Sequence, residues 1–141
     1  MQNIQGHVGC VRTCVYSPSG NLMATGSDDH TIMLWDPVSF KLQNTLRFHG
    51  DVVHSIAFNP NNKQMASCDE EGKIVLCDLK DYKESLVYLE HNMGVNMVCY
   101  SNCGSILASC SDDNLIKLWR TKLSKTKSKN SLLYAAKHHK S

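Results

Sequence analysis

The sequence lacks both a long apolar run and a leader at its start. No stretch of the 141 residues approaches the roughly 18 consecutive apolar residues that indicate a membrane-spanning helix. The first residues, MQNIQGH, have neither the basic n-region nor the apolar h-region of a secretory signal. Membrane insertion and secretion are therefore not indicated. We expect an intracellular protein of the cytoplasm, the nucleus or both, with no membrane partner.

Cysteine pairs with metal-binding spacing are also missing. The chain holds 7 cysteines, an odd number, and none forms a Cys-x-x-Cys pair. Without an export signal, this set predicts reduced thiols rather than disulfides. Most of the cysteines fall in or beside predicted strands, and we interpret them as small buried hydrophobic residues. His138 and His139 are adjacent but have no third ligand, so no metal site and no cofactor is expected.

Acidic residues are absent from the end of the chain. All 13 acids precede Arg120, whereas the segment from Arg120 to Ser141 holds 7 of the 15 basic residues. We therefore divide the chain into an acidic part, residues 1–120, and a basic tail, residues 121–141. The tail is rich in Lys, Ser and Thr, and such runs are usually solvated and mobile, so it is predicted to be disordered. Its lysines are Lys122, Lys125, Lys127, Lys129, Lys137 and Lys140, which could meet RNA or DNA phosphate or serve as a nuclear address.

The acidic part contains a repeat with a period of 42 residues. The first copy runs from Gly6 to Asp36, and two further copies align with it without a gap. Recurring positions are His7, Val11, Ala24, Ile32 and Leu34; then His49, Val53, Ala66, Ile74 and Leu76; then His91, Val95, Ala108, Ile116 and Leu118. A period of about 40–45 residues with Gly-His near its start and Trp-Asp at its end is typical of propeller blades.

On these residues the chain resembles the WD-repeat β-propeller family. The resemblance covers three repeats, at about residues 4–46, 47–89 and 90–120, and it implies an all-β fold in which each repeat forms one four-stranded antiparallel blade. The polar run RTKLSKTKSKN follows Trp119 where the last outer strand should be. We therefore expect a partial propeller whose last blade is incomplete.

A histidine, a hydroxyl, an acid and a tryptophan recur at fixed spacing. Taken alone, such a group suggests nucleophilic catalysis, but a catalytic triad is needed once and this set returns in every repeat. In the family, the matching residues form a buried hydrogen-bonded tetrad, so no catalytic residue is assigned and the chain is not expected to be an enzyme. The predicted tetrads are His7, Thr25, Asp29 and Trp35; His49, Ser67, Glu71 and Cys77; and His91, Ser109, Asp113 and Trp119. Because Glu71 and Cys77 depart from the pattern, the tetrad of the middle blade is predicted to hold its strands together less firmly than the other two tetrads do.

The resemblance also implies a binding face at the broad mouth of the channel. Carried over position by position, this face comprises Cys10, Arg12 and Asp28; Val52, His54 and Glu70; and Gly94, Asn96 and Asp112. It presents one acid from each blade, which would favour a basic segment in a partner. Alternatively, the acids could simply keep the surface soluble, and Arg12 could pair with Asp28 within its own blade.

These expectations favour a non-catalytic scaffold or adaptor that binds proteins or peptides. The alternative is a nucleic-acid or chromatin-associated protein that uses the basic tail. A closed propeller needs about four to eight blades, and this chain has three. Both flanks should therefore be apolar and exposed, and such surfaces bind a partner or aggregate. We consider three origins: a segment of a longer chain, a truncated isoform, or a half-propeller that dimerises.

Overall fold

The computed structural model describes residues 3–89, 91–121 and 132–137, which form three antiparallel sheets of four strands each. The first blade comprises β1 (Val11–Tyr16), β2 (Met23–Ser27), β3 (Ile32–Trp35) and β4 (Leu42–Leu46). The second comprises β5 (Val53–Phe58), β6 (Gln64–Asp69), β7 (Ile74–Asp78) and β8 (Lys83–Tyr88). The third comprises β9 (Val95–Tyr100), β10 (Ile106–Ser111), β11 (Leu115–Arg120) and β12 (Leu132–Lys137). The all-β prediction is confirmed, and no helix long and apolar enough to cross a bilayer occurs in the described part.

The expectation of an incomplete last blade is wrong. Strand β12 comes from the predicted tail and pairs with β11 from Leu115↔Lys137 to Trp119↔Leu132. Its segment is apolar, and Leu132 packs against the core that contains Trp119. The remaining tail positions singled out above lie outside the described residues: Lys122, Lys125, Lys127, Lys129, His138, His139 and Lys140.

Neighbouring blades pack face to face, and the side chains of each strand alternate between the two faces of its blade. We call the face with the recurring Ala, Ile and Leu the trailing face, and the opposite one the leading face. The trailing face of blade 1 (Ala24, Ile32 and Leu34) forms one core with Val53, Ile56, Phe58 and Met65 on the leading face of blade 2. The trailing face of blade 2 (Ala66, Ile74 and Leu76) forms a second core with Val95, Val98, Leu107 and Trp119 of blade 3.

The expectation that most of the cysteines are buried is wrong. Only Cys68 and Cys77 are buried, each at a junction between blades, and the other five are exposed. Burial raises the pKa of Cys77 to about 12 and also raises that of Cys68. Cys14 lies on the leading face of blade 1, and Cys99 and Cys110 lie on the trailing face of blade 3. They are exposed because no other described blade covers these two faces.

The turn that follows β9 allows a paired test of how two blades meet. Gly104 has a φ of 70°, and a Cβ added to it would lie 2.1 Å from Oδ1 of Asn59 in blade 2. Gly20 has the same place in blade 1 and a φ of 72°, but its Cβ would have open space. Gly20→Ala is expected to destabilise the chain by about 1–2 kcal/mol, the cost of a left-handed backbone. Gly104→Ala should lose about 1–3 kcal/mol more, because buried Asn59 must also shift. Urea unfolding measures both variants, and equal losses would contradict this contact.

Candidate functional site

The first blade brings its four predicted tetrad residues together in one hydrogen-bonded chain. Trp35 Nε1 donates to Thr25 Oγ1 at 2.8 Å, and Thr25 Oγ1 lies 2.7 Å from His7 Nε2. His7 Nδ1 lies 2.9 Å from Asp29 Oδ2. Because the histidine and aspartate side chains are only 4% and 7% exposed, water does not compete strongly for these bonds. The tetrad therefore ties β2, β3 and the segment before β1 into one unit.

The third blade repeats this geometry. Trp119 Nε1 donates to Ser109 Oγ at 2.8 Å, Ser109 Oγ lies 2.8 Å from His91 Nε2, and His91 Nδ1 lies 2.7 Å from Asp113 Oδ2. Desolvation opposes ionisation of Asp113, but hydrogen bonds from His91 and from the backbone outweigh it and hold its pKa below the ordinary value. In blade 1, bonds from Thr31 and His7 likewise outweigh desolvation and lower the pKa of Asp29. Both carboxylates are therefore ionised at neutral pH.

In the middle blade, the prediction that Glu71 is the acid of the tetrad is wrong. His49 Nε2 lies 2.7 Å from Ser67 Oγ, but His49 Nδ1 lies 2.6 Å from Asp69 Oδ2, and Glu71 is exposed. Asp69 stands where the other repeats have serine. In those repeats the serine hydroxyl accepts the backbone N–H of the acid two residues later, at 3.1 Å in both. Asp69 Oδ1 accepts the equivalent bond from Glu71, also at 3.1 Å, so one carboxylate replaces two side chains.

Cys77 takes the tryptophan position of the middle blade. It is fully buried in the core between blades 1 and 2, where Phe48, Leu79 and Tyr82 pack around the same cluster. No indole is present at this position to donate to Ser67. The middle blade thus keeps its histidine, hydroxyl and acid while a thiol fills part of the aromatic site.

The nine residues predicted for binding lie in three equivalent groups along one edge of the sheets, which we call the top rim. In each blade, two of the three residues, 16 positions apart, bond to each other through their side chains. Arg12 donates to Asp28 through Nε at 2.5 Å and Nη2 at 2.7 Å, His54 contacts Glu70, and Asn96 donates to Asp112 at 2.6 Å. The third residue of each group, Cys10, Val52 or Gly94, accepts the backbone N–H of the acid at 2.9, 3.1 and 3.0 Å.

Charge is not balanced equally along the top rim. Arg12 engages both oxygens of Asp28 and holds the pKa of that carboxyl below its ordinary value, with a smaller contribution from His54 of the next blade. Asp112, in contrast, is bonded to the neutral amide of Asn96. Glu70 is bonded to His54, with its own side chain 48% exposed. The rim acids that have no arginine partner therefore lie on blades 2 and 3.

The comparison with sequence families gives three matches within the chain. A family model described as WD domain, G-beta repeat, matches residues 1–36, 40–78 and 83–120. WD and tetratricopeptide repeats protein 1 of Homo sapiens is 45% identical over 38 residues, which are 27% of this chain and 6% of that protein. Target of rapamycin complex subunit LST8-1 of Arabidopsis thaliana is 35% identical over 49 residues, 35% of this chain and 16% of that protein. The aligned part of the chain is thus a small fraction of the length of these relatives.

Solved structures share the arrangement of the blades. The structure of U3-55K superposes with a TM-score of 0.87 at 19% identity, over 96% of this chain and 42% of that chain. The RRP9 WD40 repeats superpose with a TM-score of 0.87 at 19% identity, over 96% of this chain and 41% of that chain. At this identity the likeness establishes the fold and nothing further.

Proposed function

Because this chain belongs to the WD domain, G-beta repeat family, we propose that it is a non-catalytic interaction scaffold that binds a basic segment of a protein on its top rim. The observation that carries the proposal is the threefold recurrence of one group on that rim, with an acid in every copy. A basic segment lying across blades 2 and 3 would meet the acids whose charge is not balanced within their own blades.

The tetrads support the proposal because they fix the loops that carry the rim acids. Asp28 directly precedes the tetrad residue Asp29, and Asp112 directly precedes Asp113. In the middle blade, Glu70 follows the buried Asp69. Each rim acid is therefore held next to a buried, hydrogen-bonded carboxylate. A surface fixed in this way loses little conformational entropy when it binds a peptide.

The same burial argues against catalysis by the histidine and hydroxyl groups. Thr25, Ser67 and Ser109 are buried, and a nucleophile must reach its substrate. In blades 1 and 3 the hydroxyl also accepts the indole N–H, which lowers its electron density as a nucleophile. These groups are therefore better suited to holding the blade than to attacking a substrate.

We expect a short peptide of alternating lysine and glycine to bind the chain, and substitutions of two rim acids to weaken it. Glu70→Gln and Asp112→Asn should each raise the dissociation constant about two- to fivefold, since each removes one exposed charge contact. Binding should also weaken as salt is added, because exposed charges are screened. Isothermal titration calorimetry at low ionic strength measures both effects.

The matched control is Asp81→Asn, which removes one exposed carboxylate from the turn between β7 and β8, at the opposite edge of the same blade. It should leave the dissociation constant nearly unchanged. A second control is the peptide with glutamate in place of lysine, which should not bind. If Asp81→Asn weakens binding as much as Glu70→Gln does, the peptide senses only overall charge and the rim proposal is wrong.

A further inference from the structure

One set of three residues is identical in all three blades but is buried in only two. The set is Ala24, Ile32 and Leu34; Ala66, Ile74 and Leu76; and Ala108, Ile116 and Leu118. All six members in blades 1 and 2 have 0% exposure, because the next blade covers them. In blade 3, Ile116 is 44% exposed, and the other two are partly exposed. The trailing face of blade 3 thus has the side chains of a blade-to-blade interface, and no blade among the described residues covers it.

Other side chains on that face are also apolar and open. Met97 and Cys99 of β9, Cys110 of β10 and Tyr134 of β12 are exposed on the same side as Ile116. A shallow depression of about 180 Å³ is lined by Met97, Cys99, Ala108, Ser109, Cys110 and Ile116. Cys110 is the counterpart of Cys68, whose thiol lies 3.2 Å from the carbonyl of Val95 in the next blade. The depression therefore lies where the first strand of a following blade would pack.

The opposite flank of the chain carries the matching surface. In blade 2, the side chains of β5 that enter the junction are Val53, Ile56 and Phe58, and all are buried. The corresponding residues of blade 1 are Val11, Cys14 and Tyr16. These three are exposed, Tyr16 by 60%. One chain therefore has an unfilled trailing face at one flank and an unfilled leading face at the other.

We propose that a second copy of this chain binds head to tail, with β1 of each copy packed on the trailing face of blade 3 of the other. The contact continues an interface that the chain already forms twice internally. The three described blades of two copies make six, within the range of about four to eight that forms closed propellers, and the pair would have two identical contacts. The proposed assembly is therefore a closed dimer rather than an open fibre.

Charges on the top rim fit this arrangement. At the junction of blades 2 and 3, the rim acid of one blade lies against the start of the next, since a Cβ added to Gly94 would lie 3.2 Å from Oε2 of Glu70. One repeat after Glu70 stands Asp112, and two repeats before Gly94 stands Cys10, two residues from Arg12. In the dimer, Asp112 of one copy therefore lies beside Cys10 and near Arg12 of the other, and Asp112 and Arg12 have opposite charges.

Light scattering on the whole chain tests the proposal. We expect the wild type to have twice the mass of one 15.8 kDa chain, and Ile116→Glu and Tyr16→Glu each to reduce it to a single-chain mass. An equimolar mixture of the two variants should recover a two-chain mass. The Ile116→Glu copy keeps an unchanged leading face, and the Tyr16→Glu copy keeps an unchanged trailing face, so one contact can still form. Met97→Glu, at an exposed position on the same face, replaces Ile116→Glu if that variant fails to fold.

The control variant is Val38→Glu, which changes an exposed apolar side chain in the turn between β3 and β4, away from both flanks. It should keep the wild-type mass. A wild type that stays at the single-chain mass at all concentrations would overturn the proposal. So would a Tyr16→Glu variant that dimerises by itself, since that would mean that trailing faces pair with each other. Dimerisation through the flanks does not require peptide binding at the rim, so calorimetry and light scattering can fail separately.

Discussion

Trp119→Ala is expected to lower the free energy of unfolding by about 3–5 kcal/mol, the range found for truncation of a large buried aromatic residue. Trp119 is fully buried, and its ring stacks on that of Tyr88 with centroids 4.6 Å apart. It contributes to the core between blades 2 and 3 and donates to Ser109. Its loss therefore opens a cavity and removes the end of a tetrad.

The matched variant is Trp35→Ala, which removes the same side chain from the equivalent tetrad of blade 1. Trp35 faces the segment around Gly6 rather than another blade. For the single chain a smaller loss is expected, because the surrounding chain can collapse more easily into the space. Urea unfolding followed by far-ultraviolet circular dichroism measures both variants, at protein concentrations at which light scattering gives the single-chain mass. A loss for Trp35→Ala that equals or exceeds that for Trp119→Ala would mean that packing between blades is not what Trp119 supplies.

His49→Ala is the second substitution for which a large effect is expected, a loss of about 3–5 kcal/mol, because it leaves a buried carboxylate without its partner. His49 and Asp69 have side chains with 0% exposure, and Asp69 Oδ2 bonds to the imidazole. His7→Ala should cost less, because Oδ2 of Asp29 keeps a bond from the backbone N–H of Val8 at 3.0 Å.

A double substitution separates the charge effect from lost packing. If the unpaired carboxylate causes most of the loss, His49→Ala with Asp69→Asn should be more stable than His49→Ala alone. Chemical unfolding of the four proteins of this cycle gives the interaction between the two sites. A double variant that is no more stable than His49→Ala would show that the cost arises from the cavity.

The repeat predicted the tetrads of blades 1 and 3 because the distances along the chain between the members are constant. The repeat gave a wrong prediction in blade 2, where Glu71 occupies the aligned position but Asp69 makes the hydrogen bond to His49. The signal was present in the sequence as an acid at the position of Ser27 and Ser111. It could be interpreted only once the bond from the backbone N–H of Glu71 to Asp69 was seen.

The pairing of β12 with β11 and the exposure of most cysteines were missed for a different reason. Both depend on which surfaces meet, not on local pattern. Leu132–Lys137 pairs with β11 across a polar segment, and this non-local pairing has no signature in the intervening residues. Cys99 and Cys110 lie in regular strands, as expected, but a strand residue is buried only if another blade covers its face.

The top rim was partly predictable. Pairing of Arg12 with Asp28 was one of two alternatives that the sequence left open, and the structure has this pair. That His54 and Asn96 make the same bond in the other blades required the register of strands and turns. Asp28 is thus paired with an arginine, whereas Glu70 of blade 2 and Asp112 of blade 3 are not.

The most direct test of the proposed function is two-dimensional NMR of the ¹⁵N-labelled chain titrated with the lysine–glycine peptide. We expect the amide signals that shift most to belong to the top rim of blades 2 and 3, around His54, Glu70, Asn96 and Asp112. Signals from the turns at the opposite edge, such as that around Asp81, should stay in place. Shifts confined to the opposite edge, or no shift at all, would contradict a scaffold that binds basic segments through its rim.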